Sequence, residues 1–192
     1  MSDIEKENNH QICPAEHANH LDGFFRKLIQ SPKKITGRYV NPGDTVIDIG
    51  CGPGFFTREM ALTVGNTGKV IAVDVQDEML SILKEKAEKE DFISDITIHK
   101  ADPDSINLPD SVRADFVLAF YVIHEMPDIN SVFREIFGSL KPGGKMLVAE
   151  PLMHVSEEEL GDTLNAAERA GFKIMDRPKI WFSRSVLLLK PE

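Results

Sequence analysis

The 192-residue sequence has only two cysteines, Cys13 and Cys51, and no apolar run long enough to span a bilayer. Two cysteines are too few for a disulfide scaffold, so we expect a reducing, cytoplasmic location. Basic residues are also scarce: 22 Lys and Arg face 31 Asp and Glu, which leaves a net charge of -9. This charge opposes non-specific attraction to nucleic acid or to an anionic membrane. The polar, acidic start "MSDIEKENNH" lacks the basic and apolar regions of a secretion signal.

Strand-like and helix-like segments alternate along the chain, separated by short turn signals. This alternation predicts a Rossmann-like, doubly wound α/β sheet of about seven strands, mostly parallel and covered by helices. The last two apolar runs, "FKIMDR" and "SVLLLK", lie too close together for a crossover helix. We therefore expect them to pair as an antiparallel hairpin at one edge, with Trp181 packed on it. Ser156 and Glu159 form a capping-box pattern that predicts the start of the last helix.

Residues 1–40 form a leader ahead of the predicted domain at residues 41–192. Hydrophobic residues recur in this leader at helical spacing, at Leu21, Phe24, Phe25, Leu28 and Ile29. Such helices either cover one side of the sheet or act as a lid over a ligand crevice, and the two interpretations are compatible.

The same leader contains Cys13, His17 and His20 at spacings that fit one helical face. These side chains suit a soft metal or a thiophilic substrate. A metal usually wants a fourth ligand, and none is identified, so polar contacts at the crevice are favoured and no metal site is predicted.

The segment "VIDIGCGPGFFT", residues 46–57, predicts a buried strand that enters a helix through a glycine-rich turn. Such a turn lets the backbone approach a ligand closely and directs helix N–H groups at an anionic group on it. The dinucleotide-binding fingerprint asks for a glycine at position 55, but that residue is Phe55, and the third glycine is Gly54. The spacing therefore favours a ligand other than a dinucleotide.

Three carboxylates lie near the predicted strand ends, at Asp48, Asp74 and Asp102. They would repel a pyrophosphate and suit a ligand with hydroxyls, amines and a net positive charge. The alternative for each aspartate is a role in a strand-end turn or a helix cap.

Five segments together resemble the class I S-adenosylmethionine-dependent methyltransferases of the small-molecule "type 11" group. They are "VIDIGCGPGFFT", "VIAVDVQDEML", "KADPDSINLP", "ADFVLAFYVIHEMPD" and "LKPGGKMLVAEP", in that family's order and spacing. The resemblance covers roughly residues 40–192 and implies that the cofactor is S-adenosyl-L-methionine.

The resemblance also implies roles for individual residues. The methionine moiety of the cofactor would contact Asp48, Gly50, Gly52 and Gly54. Asp74 would hold the ribose hydroxyls, and Ala101 and Asp102 would meet the adenine and its amine. Val75 and Met79 would pack on the adenine ring, while Phe120 and Tyr121 would border the methyl group.

The sequence says less about the methyl acceptor than about the cofactor. The segment "YVIHEMPD" follows the fourth strand, where the resemblance places the substrate-facing loop, so Tyr121 and His124 are candidates to orient or deprotonate an acceptor. His124 alternatively shapes the loop through backbone hydrogen bonds. His154 is a further candidate for the crevice. The short connection between the fifth strand and Ser156 leaves no room for a substrate-binding insertion, so we expect a small-molecule acceptor.

Two other functions compete with this prediction. One is a nicotinamide-dependent oxidoreductase, against which the position of Gly54 argues. The other is a non-catalytic adenosylmethionine-binding protein. The sequence does not predict an oligomeric state.

Overall fold

The computed structural model describes residues 30–89 and 95–192 of the chain. The strands of this part are β1 (Thr45–Ile49), β2 (Lys69–Asp74), β3 (Asp95–Lys100), β4 (Ala114–Phe120), β5 (Leu140–Pro151), β6 (Lys173–Asp176) and β7 (Ser183–Leu189). The α-helices are α1 (Pro32–Thr36), α2 (Thr57–Val64), α3 (Asp77–Lys89), α4 (Ile129–Ser139) and α5 (Glu157–Ala170). Two short 3₁₀ turns lie at Gly65–Thr67 and Ile123–Glu125.

The strands form one sheet in the order β3-β2-β1-β4-β5-β7-β6. The pairs from β3 to β5 are parallel, whereas β7 runs antiparallel to both β5 and β6. The predicted fold and its antiparallel edge hairpin are therefore confirmed. The strand order reverses between β1 and β4, and sheets of this kind open a ligand crevice at the carboxyl ends of the strands at that point.

Hydrophobic side chains cover both faces of the sheet. On one face α4 and α5 bury residues such as Phe133, Ile136 and Leu160 against the strands. On the other face α2 buries Met60 and Val64. Because β1, β2, β4 and β5 are covered on both sides, their sequences are nearly continuous apolar runs. An acidic residue inside such a run is therefore informative.

The last helix begins and ends as its sequence predicts. The Ser156 side chain accepts a hydrogen bond from the Glu159 backbone N–H, and the Glu159 carboxylate accepts one from the Ser156 N–H, which completes the capping box. Gly171 ends the helix in the left-handed conformation, at φ 110°.

β5 includes the "KPGG" segment, because Leu140 already pairs with Ala114 and the Gly143 N–H donates to the Lys190 carbonyl. One prediction on the sheet was wrong. Trp181 does not pack on the hairpin, since 72% of its surface is exposed at the β6–β7 connection.

The described end of the leader packs against the sheet. Thr36 and Val40 are buried, and the Tyr39 ring stacks on Phe116 at a centroid distance of 5.6 Å. Cys13, His17, His20 and the hydrophobic residues at positions 21–29 lie outside the described residues. Within the described part of the chain, no helix combines the length and the apolar character needed to cross a membrane.

Candidate functional site

A cavity of about 780 Å³ opens at the carboxyl ends of the central strands. Its volume falls in the range of small-molecule and cofactor sites. Eleven of the twelve residues predicted for the site line it, namely Asp48, Gly50, Gly52, Asp74, Val75, Met79, Ala101, Asp102, Phe120, Tyr121 and His124. Gly54 is not among its lining residues. The fold therefore gathers residues that are up to 76 positions apart in the sequence around one hollow.

Asp74 ties the end of β2 to the glycine turn. Its Oδ2 accepts a hydrogen bond from the Gly52 N–H at 2.8 Å, and its Oδ1 accepts one from the Gln76 N–H at 2.9 Å. Burial raises the pKa of the Asp74 carboxyl, while the backbone N–H groups of Gln76, Gly52 and Val75 partly offset that rise. Each carboxylate oxygen has a second lone pair, so the group can accept further hydrogen bonds from hydroxyls in the cavity.

Gly52 and Gly54 have different reasons to be glycine. Both have positive φ, 51° for Gly52 and 92° for Gly54, a region that side chains disfavour. A Cβ atom on Gly52 would meet no atom within 4 Å, so a ligand has room to approach the backbone there. A Cβ on Gly54 would lie 2.4 Å from Leu83 Cδ1. Gly54 therefore permits the turn to pack on α3.

Asp48 and Cys51 lie beneath the turn. Asp48 is buried, and its Oδ2 accepts a hydrogen bond from the Thr57 hydroxyl at 2.5 Å. Burial, together with the charges of Asp48 and Asp74, raises the pKa of the Cys51 thiol well above its usual range. Cys51 thus stays a protonated, small side chain rather than a nucleophile.

The connection after β3 is fixed by its own polar contacts. The Ala101 N–H donates to the Asp74 carbonyl at 3.0 Å, which holds the two strand ends together. The Asp102 carboxylate accepts a hydrogen bond from the Asn107 side chain at 3.0 Å. The Ser105 hydroxyl donates to Glu135 of α4 at 2.9 Å, so this rim of the cavity is anchored to a helix.

A continuous series of aromatic rings borders the cavity. The centroids of Phe55 and Phe56 are 5.1 Å apart, those of Phe56 and Phe120 are 4.5 Å apart, and those of Phe120 and Tyr121 are 4.4 Å apart. The Tyr121 hydroxyl contacts the Gln30 side chain at 2.5 Å and the Ser183 hydroxyl at 2.7 Å. Tyr121 thereby connects the end of the leader to the β6–β7 connection.

His124 is held by a carboxylate that sequence reasoning missed. Its Nδ1 lies 2.5 Å from Oε2 of Glu150, whose Oε1 accepts the Ile123 N–H at 3.0 Å. Glu150 has no exposed surface. Burial by itself lowers the pKa of His124, but the hydrogen bond and charge of Glu150, with smaller contributions from Glu125 and Glu159, raise it overall.

Three other residues that line the cavity are His154, Glu125 and Gln30. The His154 ring lies 6.4 Å from the His124 ring, so His154 reaches the cavity as predicted. Glu125 also lines the cavity, and burial raises the pKa of its carboxyl. Gln30 was missed because nothing in the leader distinguishes it from a surface glutamine. Glu150 had a signal, since it ends an otherwise apolar strand, "KMLVA".

Carboxylates outnumber basic groups around the cavity. Among the described residues that line it, four are carboxylates, Asp48, Asp74, Asp102 and Glu125, and none is lysine or arginine. This set suits a ligand that carries a sulfonium and an ammonium, and it disfavours a pyrophosphate. The described residues hold no group of three or more side chains arranged for a metal ion.

Comparisons with known proteins identify the family of this chain. A family model described as "Methyltransferase domain" matches residues 40–177. The ubiquinone/menaquinone biosynthesis C-methyltransferase UbiE of Salmonella arizonae is 32% identical over 111 residues, which cover 58% of this chain and 44% of that protein. The chain thus matches less than half the length of this curated relative.

Solved structures share the fold. A SAM-dependent methyltransferase from Aquifex aeolicus superposes with a TM-score of 0.83 at 24% identity, covering 93% of this chain and all of the other. A SAM-dependent O-methyltransferase from Thermotoga maritima gives a TM-score of 0.65 at 19% identity, covering 85% of this chain and 65% of that one. The narrower "type 11" grouping stays a prediction, but the predicted class is confirmed: the chain belongs to the class I S-adenosylmethionine-dependent methyltransferases, enzymes whose cofactor is S-adenosylmethionine.

Proposed function

We propose that this protein transfers the methyl group of S-adenosylmethionine to a small-molecule acceptor. The observation that carries the proposal is a single acidic cavity that joins the Gly52–Asp74 turn to Tyr121 and His124. The region of the turn suits the cofactor, and the region of Tyr121 and His124 offers a titratable side chain to an acceptor. The name of the UbiE relative, a C-methyltransferase of ubiquinone and menaquinone biosynthesis, supports a small-molecule acceptor.

The residues that would hold the cofactor divide by chemistry. Asp74 would accept hydrogen bonds from the ribose hydroxyls, and Asp102 from the adenine amine. The apolar surfaces of Val75, Met79 and Ala101 would pack on the adenine ring. Asp48, Gly50 and Gly52 would face the methionine moiety, with Gly54 acting indirectly through the packing of the turn.

When bound, S-adenosylmethionine supplies a methyl group activated by a positively charged sulfur. The protein's own task is to align an acceptor in line with that methyl group and to keep water away. Phe120 and Tyr121 form a hydrophobic border suited to both tasks. His124 lines the cavity and would take a proton from the acceptor.

We also propose that residues 1–40 act as a lid over this cavity. Gln30, at the described end of the leader, is buried, lines the cavity and donates to the Tyr121 hydroxyl. Its side chain also donates to the Trp181 carbonyl at 3.3 Å. These contacts support a leader that is anchored at the cavity mouth.

Methyl transfer is tested by incubating the protein with methyl-labelled S-adenosylmethionine and a cell metabolite extract, followed by mass spectrometry of the small molecules. We expect a labelled product whose yield falls in the D74A variant when the cofactor is below saturation. Cofactor binding without any labelled product would instead favour a non-catalytic adenosylmethionine-binding protein.

Co-fractionation with cytoplasmic markers tests the proposed cytoplasmic location.

A further inference from the structure

Resting on the proposed function, we propose that Glu150 is a positioning residue that fixes the ring of His124, so that Nε2 removes a proton from the methyl acceptor. The acceptor then belongs to a defined chemical class. Its methyl-receiving atom arrives as an O–H, N–H or acidic C–H group and is methylated as the proton leaves.

The contacts of Glu150 dictate the state of the imidazole. One carboxylate oxygen accepts the Ile123 N–H at 3.0 Å, and the other lies 2.5 Å from His124 Nδ1. An ionised carboxylate only accepts hydrogen bonds, so Nδ1 must carry the proton. In neutral His124 the lone pair is therefore on Nε2.

The positions of the two side chains fit a base and its support. His124 lines the cavity, whereas Glu150 does not line it and has no exposed surface. A buried carboxylate requires hydrogen-bond partners, and the contact with His124 supplies one of them on the side of the ring that faces away from the cavity. A side chain that only shaped the loop would not require a fully buried carboxylate at the end of β5 as its partner.

The proposed step balances in atoms and charge. The proton of the acceptor moves to Nε2 of His124, and the freed electron pair forms the bond to the methyl carbon. The sulfur–methyl bond breaks, and its electron pair stays on sulfur, which becomes neutral. The imidazolium formed is stabilised by Glu150 and later releases its proton to solvent.

Several charged groups face His124 and set the pH at which it is a base. Glu150 lies on β5, Glu125 on the same turn as His124, Glu159 on α5, and His154 on the connection after β5. The carboxylates together raise the pKa of His124. Since the unprotonated ring is the active form, kcat/KM is expected to rise with pH to a plateau above the usual histidine range.

The first test is the tautomer of His124, measured by ¹⁵N NMR on the full chain with selectively labelled histidine. We expect protonated Nδ1 and unprotonated Nε2 in the neutral ring. The opposite tautomer would overturn the proposal. The signals of His124 are assigned by their absence in H124Q, and the measurement needs no acceptor, so it is independent of whether the proposed methyl transfer is observed.

The second test is E150Q, which keeps the shape of the side chain and an oxygen for the Ile123 N–H. Its amide nitrogen can only donate to Nδ1, which favours the tautomer with a proton on Nε2. We expect the spectrum of E150Q to show that tautomer. With the same metabolite extract, the plateau rate of labelled-methyl transfer should be about 10- to 100-fold lower than in the wild type, and the midpoint of the pH–rate profile should lie at lower pH. The cofactor Kd should stay within about twofold of the wild type. E158Q, an exposed glutamate on α5, is the matched control.

A double-mutant cycle separates positioning from general damage. If Glu150 acts through His124, H124Q/E150Q is no slower than H124Q alone. Additive losses, or an E150Q profile equal to that of E158Q, would overturn the proposal. If the wild type gives no labelled product, the proposed function is rejected. If Nε2 rather than Nδ1 carries the proton in the neutral ring, the role of Glu150 is rejected.

Discussion

Asp74 is the residue on which cofactor binding should depend most directly. Its carboxylate is tethered by Gly52 and Gln76 and still has lone pairs for ribose hydroxyls. The D74A variant should weaken S-adenosylmethionine binding by about 1–3 kcal/mol, the contribution of one or two hydrogen bonds to a charged group. Isothermal titration measures this loss. D77N, at an exposed residue of α3, is the control and should bind normally; an unchanged affinity in D74A would remove Asp74 from the ribose site.

The pair of His124 and Glu150 predicts a pH dependence of stability. Because the folded state raises the pKa of His124, the pair's charge–charge stabilisation is fully present below the unfolded pKa of about 6.5. It is lost as pH rises through the higher folded pKa. The Tm difference between wild type and E150Q should therefore be largest near pH 6 and shrink towards pH 9.

Thermal denaturation across this pH range measures that difference. E158Q should show a Tm difference from wild type that does not vary with pH. A wild-type advantage over E150Q that grows with pH would contradict the assignment, since it would mean that folding favours the neutral imidazole.

At the scale of elements, the glycine turn makes two separable predictions. G54A should lower the free energy of unfolding by about 2–4 kcal/mol, since it combines a disfavoured φ with overlap on Leu83. G52A carries only the φ penalty, about 1–2 kcal/mol, because no atom lies near its Cβ position. Denaturant titration compares the two losses.

Cofactor binding should separate the same two variants. The Cβ of G52A points into the open space where the ligand is proposed to lie, so this variant should lose affinity out of proportion to its stability. If both variants bound S-adenosylmethionine as the wild type does, the turn would not face the methionine moiety. Each variant serves as the other's control.

The capping box of α5 offers a prediction on stability alone. S156A removes the side-chain acceptor for the Glu159 N–H and should cost about 0.5–2 kcal/mol. Thermal denaturation measures the loss. S81A, at an exposed serine within α3, is the control and should change stability little. An S156A variant as stable as the wild type would show that the capping contact does not stabilise α5.

The sequence predicted those parts of the site that depend on strand ends. Asp48, Asp74 and Asp102 lie near the ends of predicted strands, so a parallel sheet brings them to one edge, whereas Ala101 and Phe120 were predicted only through the family resemblance. Glu150 ends an apolar strand too, but its role depends on a histidine 26 positions earlier in the chain. No periodicity encodes that distance.

The contacts of Tyr121 show a second limit. Its hydroxyl meets Gln30, 91 positions earlier, and Ser183, 62 positions later. These partners are set by how the leader and the β6–β7 connection return to the cavity, and both paths are tertiary. Tyr121 was therefore predicted at the site, while its hydrogen-bond partners were not.

For the whole molecule, the net charge of -9 is partly concentrated at the cavity, where Asp48, Asp74, Asp102 and Glu125 lie. Such an arrangement favours a cationic ligand and weakens with added salt, although buried groups are screened less than exposed ones. The cavity thus distinguishes S-adenosylmethionine, with its sulfonium and ammonium, from a nicotinamide dinucleotide, with its pyrophosphate. This contrast can be measured on the intact chain.

Ligand binding to the folded state alone raises the stability of the entire domain. At a concentration 100 times its Kd, S-adenosylmethionine should add about 2.7 kcal/mol, which corresponds to a rise in Tm of roughly 5–11 °C for a chain of this size. NAD at the same concentration should produce no shift, because the described residues that line the cavity offer its phosphates four carboxylates and neither lysine nor arginine. At that concentration D74A, with its binding weakened by about 1–3 kcal/mol, should lose roughly a third to nine-tenths of the rise with S-adenosylmethionine, and D77N should keep it. Stabilisation by NAD alone would reverse the assignment in favour of a nicotinamide-dependent oxidoreductase.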